Sequence, residues 1–234
     1  MKKLAAVCLL LASLHARADM TITELVDAGG QSQNMTIKIK GDKMRTDIAA
    51  QMSTITDTNT GDVITIMHPQ KSYLKISASK TKELITKMQA MQGQTAATAT
   101  EKPKIVATGK KEKVNDYNTE IYTAESPTMK FTYWVAKDFP NAAAVQEQMK
   151  KMQDGMQSKI GTAGNSVPDI SILPGLPLKT EIVTGGQTIT TTLISVKQSP
   201  VDDADLQIPA DYKEMQMPSF NGGGAGGGAT APSP

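Results

Sequence analysis

Apolar and polar residues alternate with a period of two along much of this chain. Met35, Ile37 and Ile39 interleave with Thr36, Lys38 and Lys40, which puts one apolar and one wet face on a strand. Gly41-Asp42 predicts a tight turn into a second strand over Lys43–Asp47. Met52–Thr56 and Val63–Met67 flank the stretch Asp57-Thr58-Asn59-Thr60-Gly61-Asp62, whose side chains bond nearby backbone and tolerate positive φ. His68-Pro69-Gln70-Lys71 then turns the chain into Ser72–Ser77. Links of two to six residues cannot make parallel crossovers, so these strands form an antiparallel meander. A second group follows the same rule: Lys104–Val114, Tyr117–Ala124, and a strand in which Met129, Phe131, Tyr133 and Val135 alternate with Lys130, Thr132 and Trp134. Leu178–Thr184 and Gln187–Val196 bracket Gly185-Gly186, a strong hairpin signal.

Elsewhere the period lengthens. From Lys80 to Gln92 the apolar positions Leu84, Ile85, Met88 and Met91 share one helical face, and Gly93 ends it. Residues 94–103 read as a flexible link. Asn141 is a good N-cap, because its side-chain oxygen accepts from a free N–H of the first turn. The helix it starts carries a stripe of Val145, Met149, Met152, Met156 and Ile160. That stripe should face the concave side of the sheet near Phe131 and Tyr133 or their neighbours, with Lys150, Lys151 and Gln153 toward water. Residues 161–177 hold too many Gly and Pro for a regular element. About nine strands with two helices between them predict a mainly β, α+β fold: a curved antiparallel sheet, or half-barrel, with the two helices covering its concave face. A membrane β-barrel is the competing architecture; Lys- and Thr-rich outward faces without aromatic girdles disfavour it.

The ends of the chain carry different signals. Lys2 and Lys3, the apolar run Leu4–Leu14 and Ala16-Arg17-Ala18 ahead of Asp19 make a signal peptide cleaved after Ala18. The run is too short for a bilayer core of about 30 Å, so no transmembrane segment is expected. The resulting division is a signal peptide over 1–18, a single β-rich domain over 19–218 and a disordered Gly/Pro-rich tail over 219–234. Location is then periplasmic or secreted.

Removing Lys2, Lys3 and Arg17 with the leader lowers the 25 basic residues to 22 against 23 acidic ones, a net charge of −1. That balance offers no basic surplus for nucleic acid. Cys8, the only cysteine, leaves with the leader, which removes disulfides, thiolate metal ligands and thiol nucleophiles. Asp202, Asp203, Asp205 and Glu214 count like a calcium loop, but Ile208 stands where the sharp-turn glycine belongs and Pro209 stiffens the next step, so a solvated loop is expected. His68 is the one histidine of the mature chain, and a lone histidine in a turn satisfies neither a hydrolytic triad nor a zinc site. It reads as a surface residue. The lysines at 102, 104, 110, 111 and 113 either meet anionic lipid head groups or form a wet sheet face, and Glu101 and Glu112 among them favour the second. No catalytic residue, metal site or cofactor is expected, and no enzyme activity.

The stretch Thr108-Gly109-Lys110-Lys111-Glu112-Lys113-Val114-Asn115-Asp116-Tyr117, continuing through Glu120-Ile121-Tyr122 to Tyr133-Trp134-Val135, resembles the core signature of an exported bacterial family, domain of unknown function 4412. Gly175-Leu176-Pro177-Leu178 and Ile208-Pro209-Ala210-Asp211-Tyr212-Lys213 are similar to its closing pattern, with Asp211 where glycine is expected. The resemblance covers roughly residues 30–215. More distantly the chain resembles the periplasmic lipoprotein carriers and lipoprotein-sorting proteins. That likeness implies a half-barrel closed by helices over an apolar cavity that accepts acyl chains.

Methionine is abundant at 14 residues, and its flexible thioether suits irregular apolar partners. The leading expectation is therefore an exported binding module with a lipid-like or other apolar ligand, a lipid or lipoprotein acyl chain being the implied partner. Met88, Met91, Phe131, Tyr133, Met149, Met152 and Met156 are the expected ligand-binding residues. The alternative is a structural or interaction protein of the cell envelope with a filled core. A continuous apolar cavity of at least about 300 Å³ would separate the two.

Overall fold

The computed structural model describes residues 19–91, 102–160 and 167–216. A first meander comprises β1 (Met20–Ala28), β2 (Gln31–Lys40), β3 (Lys43–Ile48), β4 (Met52–Asp57), β5 (Val63–Met67) and β6 (Ser72–Ile76), followed by α1 (Ala78–Met91). A second comprises β7 (Val106–Val114), β8 (Tyr117–Glu125) and β9 (Met129–Ala136), followed by α2 (Ala142–Ile160). The hairpin β10 (Leu176–Thr184) and β11 (Gln187–Gln198) and the short β12 (Lys213–Glu214) complete the chain. All twelve strands form one sheet in the order β12-β6-β5-β4-β3-β2-β1-β11-β10-β9-β8-β7. β11 docks on β1 and so fuses the two meanders.

Three differences from the sequence reading have physical causes. The expected count of about nine strands falls short, in part because Met20–Ala28 lacks a clean alternation: its inward row includes the polar Glu24 while Leu25 points out and is 38% exposed. β12 runs parallel to β6, an exception to the all-antiparallel expectation, because the chain returns to that edge after a long excursion. Asn141 does not cap α2 through its side chain; it sits at φ 59°, and its carbonyl accepts from the N–H groups of Ala144 and Val145. The Gly185-Gly186 hairpin forms as expected, both glycines at positive φ.

Inward rows run straight across the sheet: Met20, Ile39 and Met44 are register partners, as are Ile22 and Ile37. These residues join Leu193, Leu176, Leu178, Trp134 and Ala136 in one apolar cluster with Val145 and Met152 of α2. From Met44 on β3 to Val114 on β7 that cluster involves eight adjacent strands, which laid flat would span roughly 34 Å. A helix is about 10 Å across. The sheet therefore curls around α2, against which α1 packs. One side-chain bond records the curl: Asn115, in the β7–β8 turn, donates from Nδ2 to the Leu193 carbonyl at 3.0 Å, although β8 and β11 are separated by two strands.

The opposite face is covered too. Over β9, Phe131, Tyr133 and Val135 pack with Leu173, just beyond a 3₁₀ turn at Ile170–Ile172. Across β2–β6 the return segment 199–214 acts as a strap. Lys40 reaches both the Val201 carbonyl (2.9 Å) and Asp203 (2.8 Å), Lys38 pairs with Asp205 (2.8 Å), and Arg45 donates to the Asp205 carbonyl (3.0 Å).

Candidate functional site

Between α2 and the inner sheet face lies a cleft of about 130 Å³. Ile22, Ile37, Ile39 and Met44 line it from the first meander, Leu176 and Leu193 from the hairpin, and Val145, Met149 and Met152 from the helix. Positions 145, 149 and 152 are spaced i, i+4 and i+7, so one face of α2 presents all three. The cleft is below the 300 Å³ that would hold a whole apolar ligand, and close to the roughly 150 Å³ of a dry apolar cavity that admits benzene. Half-buried Met149 forms part of its mouth.

One lining residue breaks the apolar character. Glu24 projects into the cleft from β1, with Met35 and Leu193 as its strand partners on either side. The β1–β11 register shifts between Thr23 and Glu24: Thr23 pairs with Ser195 and Glu24 with Leu193, so Ile194 is squeezed out and is 54% exposed. Such a bulge interrupts the ladder locally and re-aims side chains. Loss of water around the Glu24 carboxyl raises its pKa above the ordinary carboxylate value. Among the described residues it has no hydrogen-bonding or ionic partner, and no cation lines the cleft.

The expected ligand residues separate. Met149 and Met152 line the cleft. Phe131 and Tyr133 stack at 6.3 Å on the other face of β9, where burial pushes the Tyr133 hydroxyl up. The helix stripe thus meets their neighbours Trp134 and Ala136 rather than Phe131 and Tyr133 themselves. Met88, Met91 and Met156 lie on α1 and α2, but their side chains are outside the described residues. Lys150 and Lys151 are exposed and paired with Asp154 and Glu147, whereas Gln153 donates to the Pro168 carbonyl at 3.4 Å instead of facing water. Glu24, Ile22, Ile37, Ile39 and Met44 were not foreseen as site residues. The signal available was a carboxylate on the inward row of an otherwise alternating strand.

His68 is not the free surface group expected. Ser53 Oγ donates to Asp47 at 2.5 Å and accepts from Arg45 Nη2 at 2.9 Å, so the contact at 2.7 Å must be donated by His68 Nε2. His68 Nδ1 in turn shares a hydrogen bond with the Tyr212 hydroxyl, 2.8 Å away. The serine is 1% exposed and its proton is committed to Asp47, so this pair pins the strap rather than activating a nucleophile.

Other candidates resolve into local structure. Asp57 Oδ1 accepts from the N–H groups of Asn59 and Thr60, as its turn role requires. Asp202 caps a 3₁₀ turn while Asp203 and Asp205 pair with strand lysines. Among the described residues no group of three or more His, Cys, Asp and Glu gathers in metal-binding geometry. Lys110, Lys111 and Lys113 stand exposed on edge strand β7, where charge discourages pairing with a further strand. A wider groove of about 590 Å³ beside the β7–β8 turn mixes Asn115, Asp116 and Asn141 with Tyr117 and Phe139.

An unclosed, strongly curved antiparallel sheet wrapped around helices defines the class of this protein. The chain belongs to the family described as Domain of unknown function (DUF4412), whose model matches residues 18–212. No curated protein sequence matches it. Among solved structures it is similar to PNGF-II at 14% identity and a TM-score of 0.38, covering 84% of this chain and 31% of that one. It spans about a third of PNGF-II. The Mycobacterium tuberculosis lipoprotein LppX is similar at 10% identity and a TM-score of 0.38, with 78% and 88% covered. A LolA superfamily protein from Nitrosomonas europaea is similar at 12% identity and a TM-score of 0.28, with 81% and 89% covered.

Proposed function

We propose that this protein is an exported binding module that holds the apolar part of a lipid-like molecule or acyl chain in the cleft between α2 and the inner sheet face. The observation behind this reading is an apolar opening at the focus of a curled sheet, where a filled core would be the ordinary outcome. Met149 and Met152 supply an adaptable wall there. Met88, Met91 and Met156 belong to the same helical faces and would extend that wall, while Phe131 and Tyr133 serve the packing of the opposite face. Export rests on the leader at 1–18, ahead of one domain over 19–218 and a tail over 219–234. Among the described residues no helix is long and apolar enough to cross a membrane.

A second reading, an envelope structural protein without a small-molecule ligand, is favoured by the modest 130 Å³. Native mass spectrometry of freshly extracted protein, together with titration by the uncharged fluorescent probe N-phenyl-1-naphthylamine, decides between them. The binding reading expects saturable probe uptake that amphiphiles displace and that Met149→Trp, which fills the cleft, abolishes without unfolding the sheet. Folded wild-type protein that takes up neither probe nor amphiphile supports the structural reading instead.

A further inference from the structure

We propose that Glu24 selects the head group of the bound molecule, and that the ligand class is an alkylamine: an apolar chain ending in a protonated amine. The inference rests on the cleft being a ligand site. Among the described residues Glu24 is the only ionisable one lining the cleft, and it is flanked in register by Met35 and Leu193. An unpaired carboxylate in such surroundings is costly, and a packed core would carry an apolar residue at this position. A ligand ammonium supplies the missing charge and up to three hydrogen-bond donors. A carboxylate or phosphate head group meets a charge of its own sign and finds no lysine or arginine among the described residues of the cleft wall. Glu24 sits on a strand paired on both sides rather than on a loop, so its position is set before the ligand arrives. Loss of hydration disfavours the charged carboxyl, and the charge of a bound cation would offset that cost.

The experiment displaces N-phenyl-1-naphthylamine from the full mature chain at pH 7.5 with decylamine, decan-1-ol and decanoic acid, each below its micellar concentration. The three share one apolar chain and differ only in head group. Decylamine should bind about tenfold more tightly than decanol, the equivalent of one good charge pair, with decanoic acid weakest. Glu24→Gln should bring decylamine to the level of decanol and leave decanol unchanged. Equal affinities of amine and alcohol in the wild type, or an amine preference that survives Glu24→Gln, overturn the proposal. Binding of decanol without amine preference leaves the apolar cleft standing and sinks only the role of Glu24; no displacement by any of the three sinks both. Should the Gln variant fail to fold, the wild-type amine-to-alcohol ratio decides alone.

Discussion

Met152→Ala tests whether the cleft is an opening or merely loose core. The side chain is 7% exposed and touches the same cluster as Val145, Leu176 and Leu193. Truncating a buried methionine to alanine costs about 2–5 kcal/mol, the spread reflecting how much dry void is left behind. Here the space vacated joins an existing opening of about 130 Å³. Water or ligand can occupy it, so the loss should fall in the lower part of that range, about 2–3 kcal/mol. For a domain near 200 residues each kcal/mol moves Tm by about 2–4 °C, which predicts a drop of about 4–12 °C. Urea melts followed by circular dichroism should show a lower midpoint with unchanged slope. An amphiphile at 100 times its Kd adds about 2.7 kcal/mol, enough to return the variant to the stability of the ligand-free wild type. Met152→Leu nearly conserves volume and should cost less than about 1.5 kcal/mol. A loss above about 4 kcal/mol that no amphiphile restores would refute the reasoning, because Met152 would then belong to sealed core.

Three further outcomes follow from particular contacts. Because burial raises the Glu24 pKa, the folded chain holds that proton more tightly than the unfolded one, so its contribution to stability declines as pH rises from the ordinary carboxylate range through the raised value; the wild-type stability curve should fall relative to that of Glu24→Gln over this window, and parallel curves contradict the burial. Gly175→Ala places a methyl 2.2 Å from the Ala136 carbonyl oxygen where β9 and β10 meet, and should destabilise by about 3 kcal/mol in chemical melts, an effect that Gly29→Ala, with open space around it, should not reproduce by crowding. His68→Ala leaves Ser53 bonded to Asp47 and Arg45 and frees only the Tyr212 hydroxyl, so about 1 kcal/mol should be lost; a double-mutant cycle with Tyr212→Phe should show coupling of about 0.5 kcal/mol or more, and additive effects dismiss the pin.

Elements with one buried face and a glycine-bearing turn were legible. The β2–β3 and β10–β11 hairpins are examples, since period-two alternation and Gly41-Asp42 or Gly185-Gly186 are local properties. α1 and α2 appeared within about two residues of their expected bounds for the same reason. What failed was nonlocal. Residues 131–136 of β9 are covered on both faces, apart from half-buried Thr132, so alternation could not say that the helix takes Trp134 and Ala136 while the 3₁₀ segment takes Phe131 and Tyr133. β1 hid because its functional candidate spoils its own pattern. The role of His68 depends on Tyr212, 144 residues away in sequence, which no local rule reaches.

The bulge opposite Glu24 also bears on how this chain can vary. Leu193 and Val196 both face the inner cluster although they stand three apart, an odd interval that a regular strand cannot place on one side. Deleting Ile194 would leave the two an even interval apart, both still inward, and would remove only the bulge, whereas deleting a residue elsewhere in β11, such as Thr191, would turn one half of the strand inside out. Heredity is thus freer with identities here than with spacing: a lineage can exchange one aliphatic residue for another at either inward position and can lose the bulge residue itself, yet a single-codon gain or loss elsewhere in the strand would have to be matched by an opposing change in the same strand.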